Sequence, residues 1–307
     1  MNLYFAPLEG ITTYTYRNTH AAMFGCCDAY FSPFISPGCD EKVSLKMLRD
    51  ILPENNTAIP LKVQVLCNHP EAFRRFALKI TELGYDEVNI NLGCPSGTVV
   101  GKGRGAGFLR EPGSLEEFLD EVFSHNDIKI SIKTRAGFYS GDEMPGLMRI
   151  YNKYPMTQLI IHPRVREDYY KSFPRFDVFT EAYQVSKNPV CYNGNVFDTD
   201  DYNRITCDYP QLEGVMLGRG AVANPALFRE IKGGPRLTTA ELLEFTQKLK
   251  DNYYELLRSD TYTLHKLKEI WLYMMWNYPE EKKILKAIKK SDKCSELMNA
   301  INKLPEI

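Results

Sequence analysis

The sequence lacks the features that mark several specialised classes of protein. Among its 307 residues, no apolar run approaches the roughly 18 that a membrane-spanning helix needs. The eight cysteines form no CxxC pair, and the adjacent Cys26 and Cys27 match no zinc-binding spacing. The first residues, MNLYFAPLEG, lack the basic and then apolar regions of a secretion signal. We therefore expect a cytoplasmic protein with reduced thiols, no metal site and no membrane segment.

The chain also has little net charge, −1 from 38 basic and 39 acidic residues. Residues 236–307 hold 13 Lys and Arg against 11 Asp and Glu, which leaves 25 against 28 in residues 1–235. The composition and length suit a soluble protein with one large domain and a smaller attachment. Gly233, Gly234 and Pro235 mark the predicted boundary, so the domains are predicted at 1–235 and 236–307. The sequence carries no signal for an oligomer, and a monomer is expected.

Strand-like and helix-like segments alternate through the first domain. Short apolar runs predict strands at 3–7, 29–34, 61–66, 86–92, 128–135, 158–162, 189–193 and 214–218. Amphipathic segments predict helices at 14–24, 70–83, 114–124, 143–154, 177–186, 198–206 and 225–231, with a less regular segment at 40–51. Eight such units in 235 residues favour an α/β fold, a closed (β/α)8 TIM barrel, over an open doubly wound sheet. No GxGxxG follows the first strand, which argues against a dinucleotide fold.

The segment from Asn89 to Gly107, NINLGCPSGTVVGKGRGAG, carries the strongest chemical signal. Asn89 and Asn91 share one face of a strand, since successive side chains of an extended chain point opposite ways, and they are predicted to face inward below Cys94. The six glycines after them predict a mobile loop that can close over a planar ligand. A buried structural cysteine beside a flexible loop is the alternative interpretation.

Polar residues also end most of the other predicted strands. In a barrel these ends meet at one face, where ligands bind. A buried lysine such as Lys133 needs an anionic or electron-rich partner to offset its desolvation. After strands seven and eight, the glycine-rich turns with Arg219 predict a phosphate site, although two tight turns would give the same pattern. Past strand six, Arg164, Arg166 and neighbouring tyrosines could hold RNA or form a plain polar loop.

The segment after Thr238 is predicted to be entirely helical, at 239–258, 261–277, 279–290 and 293–303. Trp271 and Trp276 are predicted to lie in its core. Lys282, Lys286, Lys289 and Lys293 would form one basic stripe if the helix is continuous, and such a stripe is either a solvated face or a contact for a phosphate backbone.

The motifs at the strand ends, taken together and in order, resemble those of the tRNA-dihydrouridine synthase family. They are APLEGIT, Gln64, NINLGCP with KGRGAG, IKTRAG, IIHPR, YNGN and GVMLGRGAVANP. The resemblance implies an FMN-containing barrel, a helical tRNA-binding domain at the C-terminus, NADPH as reductant and a uridine of tRNA as substrate. Asn195 stands where the family usually carries an acidic residue, and Leu8 where it carries methionine.

Carried over by motif, the resemblance implies a role for each matching residue. Cys94 would be the proton donor, with an ordinary thiol pKa near 8.5, and Asn91 would position the base. By their charge and their place after strands five and six, Arg135, Arg164 and Arg166 are also expected to contact the substrate. The implied flavin contacts are Pro7, Leu8, Glu9, Gln64, Lys133, His162, Asn193, Gly194, Asn195, Gly218 and Arg219. Two alternatives stay open: an FMN barrel acting on a free pyrimidine or other small molecule, like dihydroorotate dehydrogenase, and a tRNA-binding protein without catalysis.

Overall fold

The computed structural model describes residues 1–38, 43–57, 59–124 and 127–307 and contains a closed barrel of eight parallel strands. The strands pair in chain order and the eighth closes on the first. They are β1 (Asn2–Phe5), β2 (Ala29–Phe31), β3 (Leu61–Val65), β4 (Glu87–Leu92), β5 (Lys129–Gly137), β6 (Leu159–Val165), β7 (Val190–Asn193) and β8 (Gly214–Leu217). The predicted barrel and all eight predicted strands are confirmed.

Helices connect the strands and cover the outside of the barrel. They are α1 (Tyr14–Met23), α2 (Leu45–Leu48), α3 (Pro70–Glu82), α4 (Gly97–Val100), α5 (Pro112–Ser124), α6 (Met144–Tyr151), α7 (Phe176–Val185), α8 (Thr199–Asp208), α9 (Arg219–Ala223) and α10 (Leu227–Ile231). In α3, Phe73, Phe76 and Ile80 are fully buried, at the i, i+3, i+7 spacing of an inward helical face. Of the less regular predicted segment 40–51, residues 40–42 lie outside the described residues, and α2 and a 3₁₀ turn (Arg49–Ile51) occupy the rest.

Four further helices follow the barrel, as predicted: α11 (Thr239–Leu257), α12 (Asp260–Met274), α13 (Lys282–Lys290) and α14 (Cys294–Ile301). Their buried side chains belong to the same apolar cluster as the outer face of the barrel strands. Helix α12 also reaches the barrel directly, since Lys266 Nζ donates to the carbonyl of Gly10 at 2.8 Å. The division into two domains at residue 235 stays a prediction.

One prediction about these helices, that Trp276 lies in the core, was wrong. Trp271 is fully buried, but Trp276 is 46% exposed. It lies in a 3₁₀ turn after α12, where the change of helical pitch turns its side chain away from the core. Helix α13 ends at Lys290, so Lys293 does not continue the stripe of Lys282, Lys286 and Lys289. In the described part of the chain, no helix is long and apolar enough to cross a membrane.

The interior of the barrel is divided into an apolar and a polar half. Tyr4, Phe31, Ile160, Cys191 and Met216 pack together from strands β1, β2, β6, β7 and β8. Strands β3, β4 and β5 instead present amides, a hydroxyl and a carboxylate, which bond to one another (Gln64, Glu87, Asn89, Asn91 and Ser131). The prediction that Asn89 and Asn91 face inward is confirmed. The polar half rises directly beneath the loop that carries Cys94.

Candidate active site

The carboxyl ends of the strands surround one depression with two connected cavities that share Pro7, Leu8, Lys133, His162 and Tyr170. The arginine cavity, about 450 Å³, is also lined by Ala6, Arg164, Asn193, Gly194, Phe197, Gly218, Arg219 and Gly220. The thiol cavity, about 800 Å³, is also lined by Glu9, Ile11, Pro33, Phe34, Gln64, Asn91, Gly93, Cys94, Pro95, Arg135 and Tyr273.

The arginine cavity is strongly cationic. Arg164 and Arg219 each donate to Asn195 Oδ1, at 3.0 and 3.1 Å. Arg164 Nη1 also lies 2.9 Å from His162 Nε2, and since a guanidinium can only donate, Nε2 accepts and the neutral ring carries its proton on Nδ1. Burial and the surrounding cations hold the pKa of His162 well below its usual range. Asn195 therefore acts on this cavity through the two arginines that its side chain joins.

Small residues keep the arginine cavity open. A Cβ atom on Gly194 would lie 2.1 Å from Tyr192 Oη, so only glycine fits at this position. Asn193 donates from Nδ2 to the carbonyl of Met216 at 2.8 Å, which ties the end of β7 to β8. With Gly218 at the end of β8, these residues leave room beside Arg164 and Arg219 for a compact anion. None of the described lining residues of this cavity is a carboxylate.

Lys133 lies where the two cavities meet. Its ammonium has no hydrogen-bond or ion-pair partner among the residues that the structure describes. Burial, reinforced by the nearby charge of Arg135, lowers the pKa of Lys133 from 10.5 to about 8. An unpaired buried cation is costly, and a bound electron-rich or anionic group would offset that cost. The residues present therefore fit the predicted phosphorylated ligand with an electron-rich ring system.

Cys94 follows the end of β4 and lines the thiol cavity. Asn91 Oδ1 accepts from the backbone amides of Gly93 at 3.0 Å and Cys94 at 2.9 Å, and this holds the start of the loop. Burial raises the pKa of the Cys94 thiol above its ordinary value. The thiol is therefore protonated at neutral pH and can act as an acid.

Two of the glycines after Cys94, Gly105 and Gly107, pack closely against the loop itself. A Cβ atom on Gly105, whose φ is +56°, would lie 2.9 Å from the carbonyl oxygen of Cys94. A Cβ atom on Gly107 would lie 2.7 Å from the carbonyl oxygen of Val100. Helix α4 and a 3₁₀ segment (Gly105–Arg110) fold the loop back on Cys94, and Ala106 N donates to the Cys94 carbonyl at 3.0 Å. These glycines allow close packing, where the sequence had suggested mobility.

Two of the predicted substrate arginines are engaged elsewhere. Arg135 is buried and donates to the carbonyls of Gly93 at 2.7 Å and Val165 at 3.0 Å, so it braces the thiol loop while lining its cavity. Arg166 lines neither cavity; it pairs with Glu167 and lies over Phe138. Gln64 uses its amide to bind both Asn89 and Asn91. The other predicted site residues line one or both cavities, except Asn195.

Aromatic residues complete the rim, and of these the sequence indicated Tyr170 but not Phe197, Tyr273 or Trp276. Arg219 lies over Tyr170 at 4.2 Å, with Phe197 at 5.8 Å and Trp276 at 5.9 Å. Tyr273 of α12 lines the thiol cavity. The spacing of Tyr273 and Trp276, three residues apart, was the available signal, because such residues share a helical face. The C-terminal helices therefore contribute side chains to the mouth of the barrel.

A closed parallel barrel whose carboxyl face gathers a protonated thiol, an unpaired lysine and paired arginines is built as an enzyme site for an anionic ligand. The sequence comparisons then identify the family. The model of the dihydrouridine synthase (Dus) family matches residues 4–304, so the chain belongs to that family. No group of three or more His, Cys, Asp or Glu that could hold a metal ion occurs in the described ranges.

Similar curated proteins carry names of the same family. The chain is 27% identical over 318 aligned positions to the tRNA-dihydrouridine(16) synthase of Salmonella typhimurium, with 98% of each chain covered. It is 26% identical to the protein of that name from Pseudomonas putida, over 97% of this chain and 95% of the relative. The probable tRNA-dihydrouridine synthase 2 of Bacillus subtilis is 26% identical over 81% of this chain and 78% of its own.

Solved structures with the same architecture are more distant in sequence. A variant of NCR from Zymomonas mobilis superposes with a TM-score of 0.54 at 14% identity, over 77% of this chain and 88% of its own. Morphinone reductase gives a TM-score of 0.52 at 11% identity, over 76% and 86%. These likenesses show the fold, a barrel of the same kind.

Proposed function

We propose that this protein is an FMN-dependent tRNA-dihydrouridine synthase that uses NADPH to reduce the C5–C6 double bond of one uridine in tRNA. The observation that carries the proposal is the presence, in one cavity, of a protonated thiol and a half-buried lysine that has no partner among the described residues. Family membership supports the same reaction, with tRNA as the substrate. Position 16, named for several relatives, is the first uridine to examine.

The arginine cavity and Lys133 would hold FMN. Arg164 and Arg219 supply the charge for its phosphate, and Gly194 and Gly218 leave the space. Lys133 would offset negative charge on the reduced ring system. When bound, FMN would accept electrons from NADPH and supply a hydride to carbon 6 of the uracil. The remaining predicted contacts, among them Pro7, Leu8 and Glu9 after β1 and His162 on β6, belong to this proposal.

Cys94 would protonate carbon 5 of the uracil. Its raised pKa keeps the proton on sulfur at neutral pH until negative charge develops on the base. Donors in the thiol cavity would stabilise that charge on the carbonyl oxygens, and Arg135 and the second Nδ2 hydrogen of Asn91 are the candidates. The base must leave its stack to enter the depression, as in other enzymes that modify bases.

The outer surface offers two places for the remainder of the RNA. At the rim, Arg166 with Tyr169 and Tyr170 combines charge with partly exposed aromatic rings, which suits stacking on unpaired bases. Further away, Lys282, Lys286 and Lys289 are all exposed on one face of α13. We propose both as tRNA contacts, with the C-terminal helices orienting the substrate.

The proposal is tested by mapping dihydrouridine in tRNA from cells with and without the gene. We expect one position to lose the modification on deletion and to regain it when the wild-type gene is restored. A matched strain carrying Cys94→Ala should not regain it. An unchanged dihydrouridine map would exclude tRNA reduction, and reduction of free uracil but not of tRNA by the purified enzyme would favour a small-molecule dehydrogenase.

A further inference from the structure

A continuous chain of hydrogen bonds runs through the polar half of the barrel from its amino end to the Cys94 loop. Beginning at the loop, the links are Cys94 N to Asn91 Oδ1 (2.9 Å), Asn91 Nδ2 to Gln64 Oε1 (2.7 Å), Gln64 Nε2 to Asn89 Oδ1 (2.7 Å), Asn89 Nδ2 to Ser131 Oγ (2.9 Å), Ser131 Oγ to Glu87 Oε1 (2.8 Å) and Lys62 Nζ to Glu87 Oε2 (2.5 Å). Glu87 and Asn91 are four residues apart on β4, so the chain spans about 13 Å along that strand.

Glu87 determines the direction of every link above it. An ionised carboxylate only accepts, so Ser131 must donate its single hydroxyl proton to Glu87. Ser131 can then only accept from its other neighbour, which places Nδ2 of Asn89 towards it. Asn89 Oδ1 then accepts from Gln64 Nε2, and Gln64 Oε1 accepts from Asn91 Nδ2. This leaves Asn91 Oδ1 facing the backbone amides of Gly93 and Cys94. Those amides can only donate, so both ends of the chain require one orientation.

Burial prevents water from replacing these links. Gln64, Asn89 and Ser131 are fully buried, and Glu87 and Asn91 are each 8% exposed. A reversed amide would therefore leave buried donors facing donors, at a cost of about 1–3 kcal/mol for each unsatisfied group. The opposite half of the same interior is filled by apolar side chains such as Ile160 and Met216. Apolar side chains can therefore fill this barrel, and packing alone does not explain the chain of hydrogen bonds.

We propose that Glu87, paired with Lys62 at the amino end of the barrel, is a positioning residue that fixes the orientation of the Asn91 amide and so holds Cys94 in place for proton transfer. The catalytic part of this inference rests on the proposed function, in which Cys94 is the proton donor. The structural part, the restraint on the Cys94 loop, stands without it. Glu87 acts at a distance and touches neither thiol nor substrate.

The test exchanges the ion pair, as the double variant Lys62→Glu, Glu87→Lys. The exchange keeps both charges, but the residue that faces Ser131 can now only donate, so the hydroxyl proton of Ser131 loses its acceptor. Ser131 regains an acceptor, Asn89 Oδ1, when the Asn89 amide and the amides above it reverse. Asn91 would then present Nδ2 to the amides of Gly93 and Cys94 and release the loop. We expect Cys94 to be alkylated several-fold faster by iodoacetamide, followed by peptide mass spectrometry. Dihydrouridine formation in a single turnover should slow about 10- to 100-fold.

Two further variants separate this effect from a general loss of structure. Glu213→Gln is the matched control, because Glu213 also lies at the amino end and accepts from Tyr4 Oη at 2.6 Å but has no link to Cys94. It should leave both rates near wild type. Ser131→Ala cuts the chain, so it should itself speed the alkylation of Cys94. The ion-pair exchange should then have no additional effect when made in the Ser131→Ala background.

Each outcome decides the inference. Unchanged alkylation of Cys94 in the folded exchange variant, or an equal effect of the exchange with and without Ser131, would overturn it. If the exchange variant does not fold, the alkylation rates of Cys94 in Ser131→Ala and Glu213→Gln are compared instead. Equal rates in these two variants would overturn the inference. A wild-type protein that forms no dihydrouridine would refute the proposed function, while the alkylation rates would still test the chain.

Discussion

Replacing Lys133 by methionine should have opposite effects on the stability of the flavin-free protein and on its affinity for FMN. Lys133 is half-buried, its ammonium has no partner among the described residues, and desolvation lowers its pKa from 10.5 to about 8. At 1.36 kcal/mol per unit, the lowered pKa corresponds to about 3 kcal/mol that the charged lysine costs the folded state at neutral pH. Methionine fills a similar space without charge, so the flavin-free variant should be more stable by up to about that amount.

The sign of the effect on stability can be checked through pH. Because the folded pKa of Lys133 is lowered, the unfolded chain binds more protons between about pH 8 and pH 10.5, and the free energy of unfolding rises through that window. The advantage of Lys133→Met should therefore be largest below pH 8 and shrink towards pH 10.5. Denaturant unfolding of flavin-free wild-type and variant protein at pH 7 and pH 10 measures the difference.

Affinity for FMN should change in the other direction. A hydrogen bond to a charged group contributes about 1.5–3 kcal/mol, so loss of the ammonium should weaken FMN binding about 10- to 150-fold in a fluorescence titration. Lys129→Met is the matched control, since Lys129 begins the same strand but is exposed and paired with Asp86. Equal FMN affinity in wild type and Lys133→Met, or a flavin-free variant less stable than wild type, would refute the reasoning.

Two further predictions concern the phosphate site and the RNA surface. Gly194→Ala should abolish or strongly weaken FMN binding, because the new Cβ would lie 2.1 Å from Tyr192 Oη. Gly113→Ala is the control, since a Cβ there meets nothing within 4 Å. Unchanged FMN affinity in Gly194→Ala would remove Gly194 from the site. The triple variant Lys282→Glu, Lys286→Glu, Lys289→Glu should weaken tRNA binding and lower its salt dependence by about one unit or slightly less per lost phosphate contact, with FMN binding retained. An unchanged slope would make the stripe an ordinary solvated face.

Much of the barrel could be predicted because its signals are local. Apolar runs such as Val88, Ile90 and Leu92 predict a strand, and the alternation within β4 places Asn89 and Asn91 on the other face whatever the strand pairs with. Motif order at the strand ends then predicted which side chains would meet. The structure brings Cys94 and Lys133 to one cavity, as that order required.

The rest depends on contacts between distant segments. The spacing of Tyr273 and Trp276 indicates a shared helical face, but it does not indicate that this face lies beside Arg219, because that contact depends on how α12 crosses the barrel mouth. Arg135 has the residue type of a substrate contact, yet its guanidinium is largely used by the carbonyls of Gly93 and Val165. The glycines after Cys94 indicate either mobility or close approach, and only the fold of the loop distinguishes the two.

The most direct test of the account is a pair of rates measured on one preparation each of wild type and Cys94→Ala. The first is oxidation of NADPH without tRNA, and the second is formation of dihydrouridine by the reduced enzyme in a single turnover. We predict that the variant keeps the first rate and loses the second by about 10² to 10⁴-fold, the usual contribution of a general acid. Equal dihydrouridine formation by both proteins, or loss of both rates together in the variant, would contradict the role assigned to Cys94.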